Sequence, residues 1–75
     1  MNLSDLQTKE IIDITSGKRL GMIIDVIVDK DGSIKSLVLQ ERKIRKMKYN
    51  GEVEVLWKEI VKIGDDIILI DPRNR

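Results

Sequence analysis

The 75-residue chain contains no cysteine and no histidine. Disulfides and thiolate metal sites are therefore excluded. So are Ser-His-Asp and Cys-His triads, and metal sites that rest on imidazole. Alanine and phenylalanine are absent as well, there is one proline, and the aromatics are one tryptophan and one tyrosine. Without alanine the chain lacks the best helix former. No apolar run approaches the roughly 18 residues of a membrane-spanning helix. The opening Met1-Asn2-Leu3-Ser4-Asp5 has neither the basic nor the apolar region of a secretion signal, so a cytoplasmic protein is expected. In that setting the Asn2-Leu3-Ser4 match to a glycosylation sequon is accidental.

What remains is unevenly chosen. The chain carries 13 Ile, 7 Leu, 6 Val and 3 Met. Ile and Val are stiff at χ1 and suit a pleated surface. Charged residues make up 36%, with a formal net charge of +1. That composition is globular, neither disordered nor membrane-spanning. The length allows one domain, residues 1–75, with a thin core, since a chain of this size buries only about 60% of its unfolded surface.

The patterning places six short strands. Ser4 with Gln7 fits a capping box, so one helical turn can open the chain, an irregular lead-in being the alternative. Lys9 to Ile14 reads as a first strand, and Thr15 to Lys18 as a turn with Gly17 at positive φ. Arg19 to Asp29 alternates with period two. Leu20, Met22, Ile24, Val26 and Val28 form one apolar face, and Ile23, Asp25, Ile27 and Asp29 lie on the outer one. Gly21 inside this strand marks a bulge or tight bend. Lys30 to Ser33 is a hairpin turn around Asp-Gly, and Ile34 to Gln40 is the return strand. Glu52 to Trp57 alternates again, with Val53, Val55 and Trp57 inward. Trp57 to Ile60 can make one helical turn, Val61 to Ile63 is a short strand, and Gly64 to Asp66 is a turn. Ile67 to Ile70 is the last strand, before a polar tail at 72–75. The expected architecture is all-β, a small six-stranded barrel with at most one or two short helical turns.

Three sets of residues are candidates for function. Arg42, Lys43, Arg45, Lys46 and Lys48 put five positive charges into seven residues, inside the loop 41–50. The other 9 basic and 13 acidic residues balance at −4, so charge is segregated. This run reads either as a patch for nucleic acid, anionic lipid or an acidic protein, with Tyr49 able to stack, or as a solvated loop. The acids Asp25, Asp29, Asp31, Asp65, Asp66 and Asp71 could in principle hold a hard cation. Asp29-Lys30-Asp31-Gly32 opens like an EF-hand loop but lacks the third ligand and the distal Glu, and turn chemistry accounts for these residues without a metal. Trp57 reads as a core plug or as a partner contact. Gly17, Gly21 and Gly64 form no phosphate-binding motif and read as turn and bulge glycines. No cofactor, metal or small-molecule substrate is expected.

Lys9-Glu10-Ile11-Ile12-Asp13, Ser16 to Gly21 and Asp25 to Asp29 resemble the N-terminal half of a PRC-barrel domain. Val53 to Trp57 with Ile60, then Ile63 to Asp71 with Gly64, Asp65 and Asp66, are similar to that family's closing pattern. The resemblance covers residues 3–71. The opening Leu3-Ser4-Asp5-Leu6 before Lys9-Glu10 looks most like the small stand-alone YlmC/YmxH group of spore-forming bacteria. One departure is Leu56, where those proteins carry proline before the tryptophan. The resemblance implies a six-stranded barrel and little chemistry. In the photosynthetic reaction-centre H subunit and the ribosome maturation factor RimM, relatives of the domain serve as docking surfaces. The expected function is a non-catalytic protein-binding adaptor related to sporulation, and the alternative is an RNA- or ribosome-associated factor using residues 42–48. Self-association is also expected, because the core is thin and Ile23 and Ile27 are placed on the outer face.

Overall fold

The computed structural model describes residues 2–41 and 52–75. The run Arg42 to Lys48, with Tyr49, lies outside the described residues.

A five-residue helix, α1 (Leu3–Gln7), opens the chain. Its cap lies two residues earlier than the Ser4–Gln7 spacing indicates. Asn2 Oδ1 accepts the Asp5 amide at 3.0 Å, and Asp5 Oδ2 accepts the Asn2 amide at 3.2 Å. Asn2 is the stronger cap because its short amide reaches the free N–H groups of the first turn. Ser4 is used as a donor to Asn2 Oδ1 instead. The helix buries only Leu6.

Six strands follow: β1 (Glu10–Asp13), β2 (Arg19–Val28), β3 (Ile34–Glu41), β4 (Glu52–Leu56), β5 (Ile60–Ile63) and β6 (Ile67–Ile70). Short 3₁₀ turns occupy Trp57–Glu59 and Pro72–Asn74. With α1 this makes three helical pieces among the described residues, one more than expected. The strands form one sheet in the order β4-β3-β2-β1-β6-β5. All neighbours are antiparallel except β1 and β6, which run parallel with Ile11 opposite Ile68. The class is all-β, as expected, but the sheet is not closed. Edge strands β4 and β5 are joined by the Trp57–Glu59 turn and are not paired with each other.

Leu6, Ile11, Ile23, Leu37, Leu39, Val55, Ile68 and Ile70 make one buried cluster, with Val53, Trp57, Ile60 and Ile63 packed against it. Side chains from both edge strands thus reach the same core as those of central β1 and β2, so the sheet curls around it. This curl gives an 8.7 kDa chain an interior without full closure.

The facing of β2 differs from the alternation read in the sequence. Ile23, placed on the outer face, is 3% exposed, whereas Met22, Ile24 and Val28 of the supposed inner face are 40%, 41% and 55% exposed. Two extra residues in β2 explain this: Leu20, which Arg19 and Gly21 flank opposite Ile12 and Ile11, and Ile24, which Ile23 and Asp25 flank opposite Leu39 and Val38. One inserted residue flips every later side chain to the other face. Ile23 therefore pairs with buried Leu39 and Val26 with buried Leu37, a step of three positions along β2 against two along β3. Gly21 is buried at φ +139°, beside the first of these insertions, opposite Ile11 of the neighbouring strand.

Candidate functional site

Asp13, Asp29 and Asp31 build turns through their hydrogen bonds. Asp29 Oδ1 accepts the amides of Asp31 and Ser33, both at 3.2 Å, and Asp31 Oδ1 accepts that of Ser33 at 3.1 Å. The hydrogen bond with the Asp29 carboxyl, followed by those from Ser33, holds Asp31 below the usual carboxylate range. Gly32 closes this turn at φ +88°. Asp25 Oδ1 accepts the amide of Val26 at 2.8 Å, just after the bulge. Asp13 accepts both the hydroxyl and the amide of Thr15, which lowers its pKa, and Gly17 completes that turn at φ +74°. Asp65 and Asp66 are exposed. Their turn is tied down through its backbone: Lys9 Nζ donates to the carbonyls of Gly64 at 2.7 Å and Asp65 at 2.8 Å, and the Glu10 amide to that of Asp66 at 3.1 Å. A Cβ on Gly64 would stand 3.3 Å from the Ile67 carbonyl oxygen, which is why the smallest residue serves there. Among the described residues no three acidic side chains converge as ligands for a metal ion.

The tail expected at 72–75 folds back onto the sheet. Asp71 accepts Arg73 Nε at 2.9 Å and Nη2 at 2.8 Å, a two-pronged pair that holds the carboxyl below its ordinary pKa. Arg75 reaches Glu59, whose carboxylate is almost fully buried, at 3.0 Å, and also donates to the Glu54 carbonyl at 3.2 Å. The same Glu59 Oε2 accepts the Leu56 amide at 3.0 Å. Backbone groups at two positions along edge strand β4 are therefore satisfied by side chains rather than by another strand. This is one way to blunt an exposed edge.

Those contacts fix the turn that carries Trp57. Trp57 is half-buried, packs on the core with one side and lines an open groove with the other. The packing against the core agrees with the reading of Trp57 as a core residue. The groove holds about 380 Å³ and is walled by Ile34, Lys35, Leu56, Trp57 and Lys58. The antiparallel pairing of β3 with β4, Ser36 opposite Leu56, brings its two halves together. Lys35 and Lys58 are exposed, and neither takes part in an ion pair among the described residues. Sequence reading singled out Trp57 but not its neighbours. The signal lay in two Lys-bearing apolar segments, Ile34-Lys35 and Leu56-Trp57-Lys58, which only the strand register places side by side.

A second feature lies alongside. Ile27, Ser36 and Leu56 stand in line across β2, β3 and β4. Ser36 is fully buried and donates to Glu54 Oε2 at 2.5 Å, while Ile27 is 37% exposed. With Met22, Ile24 and Val28, one strand of this small chain presents four large apolar side chains to solvent. Among the described residues no helix is long and apolar enough to cross a membrane.

Comparison with known proteins agrees with this architecture. The chain is 37% identical to an uncharacterized Bacillus subtilis protein, YmxH, over 95% of its own length and 88% of the relative's. It is 32% identical to the "Probable sporulation protein YlmC" of the same organism, over 93% and 90%. An uncharacterized protein of Clostridium acetobutylicum is 32% identical over 97% and 86%. The PRC-barrel domain profile matches residues 1–75. Fold, profile and relatives agree: the chain belongs to the PRC-barrel domain family.

Proposed function

We propose that this chain is a non-catalytic protein-binding module that works in sporulation through contact with other proteins, including a second copy of itself. The observation that carries this reading is the set of exposed apolar side chains on β2: Met22, Ile24 and Ile27, with Val28 at the strand's end. Water-facing apolar groups concentrated on one strand are the usual mark of a contact surface. Ile23, first placed on that surface, is part of the core and contributes nothing to it. A relative named as a sporulation protein supports the process, and the residue types of the chain support the lack of catalysis.

The second reading, RNA binding, is favoured by the five cations between Arg42 and Lys48. A salt titration of RNA and DNA binding by fluorescence anisotropy separates the two. A variant with Arg42, Lys43, Arg45, Lys46 and Lys48 changed to Gln is run beside the wild type. The protein-binding reading expects no binding at low salt. Affinity that falls with a log–log slope of about −0.7 per contact, and is lost in the variant, would replace it with the RNA reading.

A further inference from the structure

We propose that the groove beside Trp57 binds a short acidic segment of a partner protein, one that carries an aliphatic side chain between its carboxylates. The aliphatic group sits against Ile34, Leu56 and Trp57, and the carboxylates face Lys35 and Lys58. The proposal rests on the reading of the chain as a protein-binding module and names a surface and a ligand class for it.

Three observations converge on this occupant. The first is charge complementarity. Lys35 and Lys58 flank an otherwise apolar groove, and neither is ion-paired among the described residues. Their ammonium groups therefore offer charge without the loss of an existing pair. The second is size and lining. About 380 Å³ lies at the small end of ligand sites, room for one or two side chains, and Ile34 and Leu56 suit an aliphatic one. The third is rigidity. The 3₁₀ turn bearing Trp57 and Lys58 is pinned by the Leu56 amide on Glu59, by Arg75 on the same carboxylate, and by the Ile60 amide on the Trp57 carbonyl. A wall held this way loses little freedom on binding. A nucleic acid fits less well. It needs a track of cations, and outside residues 42–48 the chain has 9 basic against 13 acidic residues.

Trp57 is the only tryptophan and therefore reports on its own groove. The purified chain is titrated with an acetylated, amidated nonapeptide of alternating aspartate and leucine, and emission is followed with tryptophan excited alone. Parallel titrations use a lysine–leucine peptide, an aspartate–serine peptide and oligodeoxythymidine. The expected result is a saturable blue shift with the aspartate–leucine peptide alone, weakened by salt. In the doubly charge-reversed variant Lys35→Glu, Lys58→Glu the affinity falls by about tenfold or more while the melting temperature holds, since both side chains are exposed. Calorimetric titration of Trp57→Phe should show weakened binding by a readout independent of the fluorophore. No saturable change, equal binding of the lysine–leucine peptide, or an unaltered affinity in the charge-reversed variant would overturn the proposal. Oligodeoxythymidine outcompeting the peptide would also overturn it, and would assign the groove to nucleic acid. Failure here, with partners still crosslinked in cells through β2, leaves the binding-module reading intact. Failure of both removes that reading.

Discussion

Glu59 is the residue on which the open side of the sheet depends. Its carboxylate is 2% exposed and collects the Leu56 amide and the Arg75 guanidinium. A buried carboxylate is tolerated only while its lone pairs are filled. Arg75→Ala leaves one side of it empty, and the expected cost is about 1–3 kcal/mol, read as a lowered urea midpoint with an unchanged slope. Part of the arginine is exposed, so the upper end of the range for fully buried pairs is not expected. Asp71 provides the pH dependence. Arg73 depresses its pKa in the folded state, so its contribution is present above the ordinary aspartate value and is lost as pH falls through the lower folded value. Asp13 and Asp31 act with the same sign. Melting temperature should therefore drop as pH is lowered below about 4, and Asp71→Asn should make that drop shallower.

At the scale of the element, β2 sets the shape of the sheet. It is ten residues long, pairs with both β1 and β3, and carries the register shifts that turn its faces over. Gly21 makes the first bend possible, since φ +139° is closed to ordinary side chains. Gly21→Ala should cost about 1–3 kcal/mol in a chemical melt. A loss below a few tenths would show that the strand relaxes without strain. The same strand shows what could be read beforehand and what could not. Strand positions followed from period-two patterning and turn dipeptides: β6 is found at Ile67–Ile70, and the Asp-Gly hairpin joins β2 to β3 where expected. Facing was lost at Ile23 and Ile24, because a bulge is a property of two paired strands and leaves no mark in either alone. The groove was half legible for a related reason. Trp57 stands out by its chemistry, but Lys35 becomes its neighbour only through the pairing of Ser36 with Leu56. The Glu59–Arg75 pair spans 16 residues and joins a turn to a segment that reads as a polar tail.

For the whole molecule, the order β4-β3-β2-β1-β6-β5 brings the two ends of the chain side by side through parallel β1 and β6 and leaves β4 and β5 as edges. The curl hides a core that a flat six-stranded sheet of this size would leave wet on one face. It leaves outside the exposed apolar side chains of β2 and the Trp57 groove, and the account assigns both to protein contact. Photo-crosslinking in sporulating cells tests that most directly. A photoreactive residue is placed at Ile27, at Lys58 and, as a control on the acidic side, at Asp66. Discrete adducts from positions 27 and 58 are expected, one at twice the chain mass for self-association and heavier ones for partners, with none from position 66. No adduct from either site, or the same smear from all three, would contradict the claim that this PRC-barrel chain acts by binding protein.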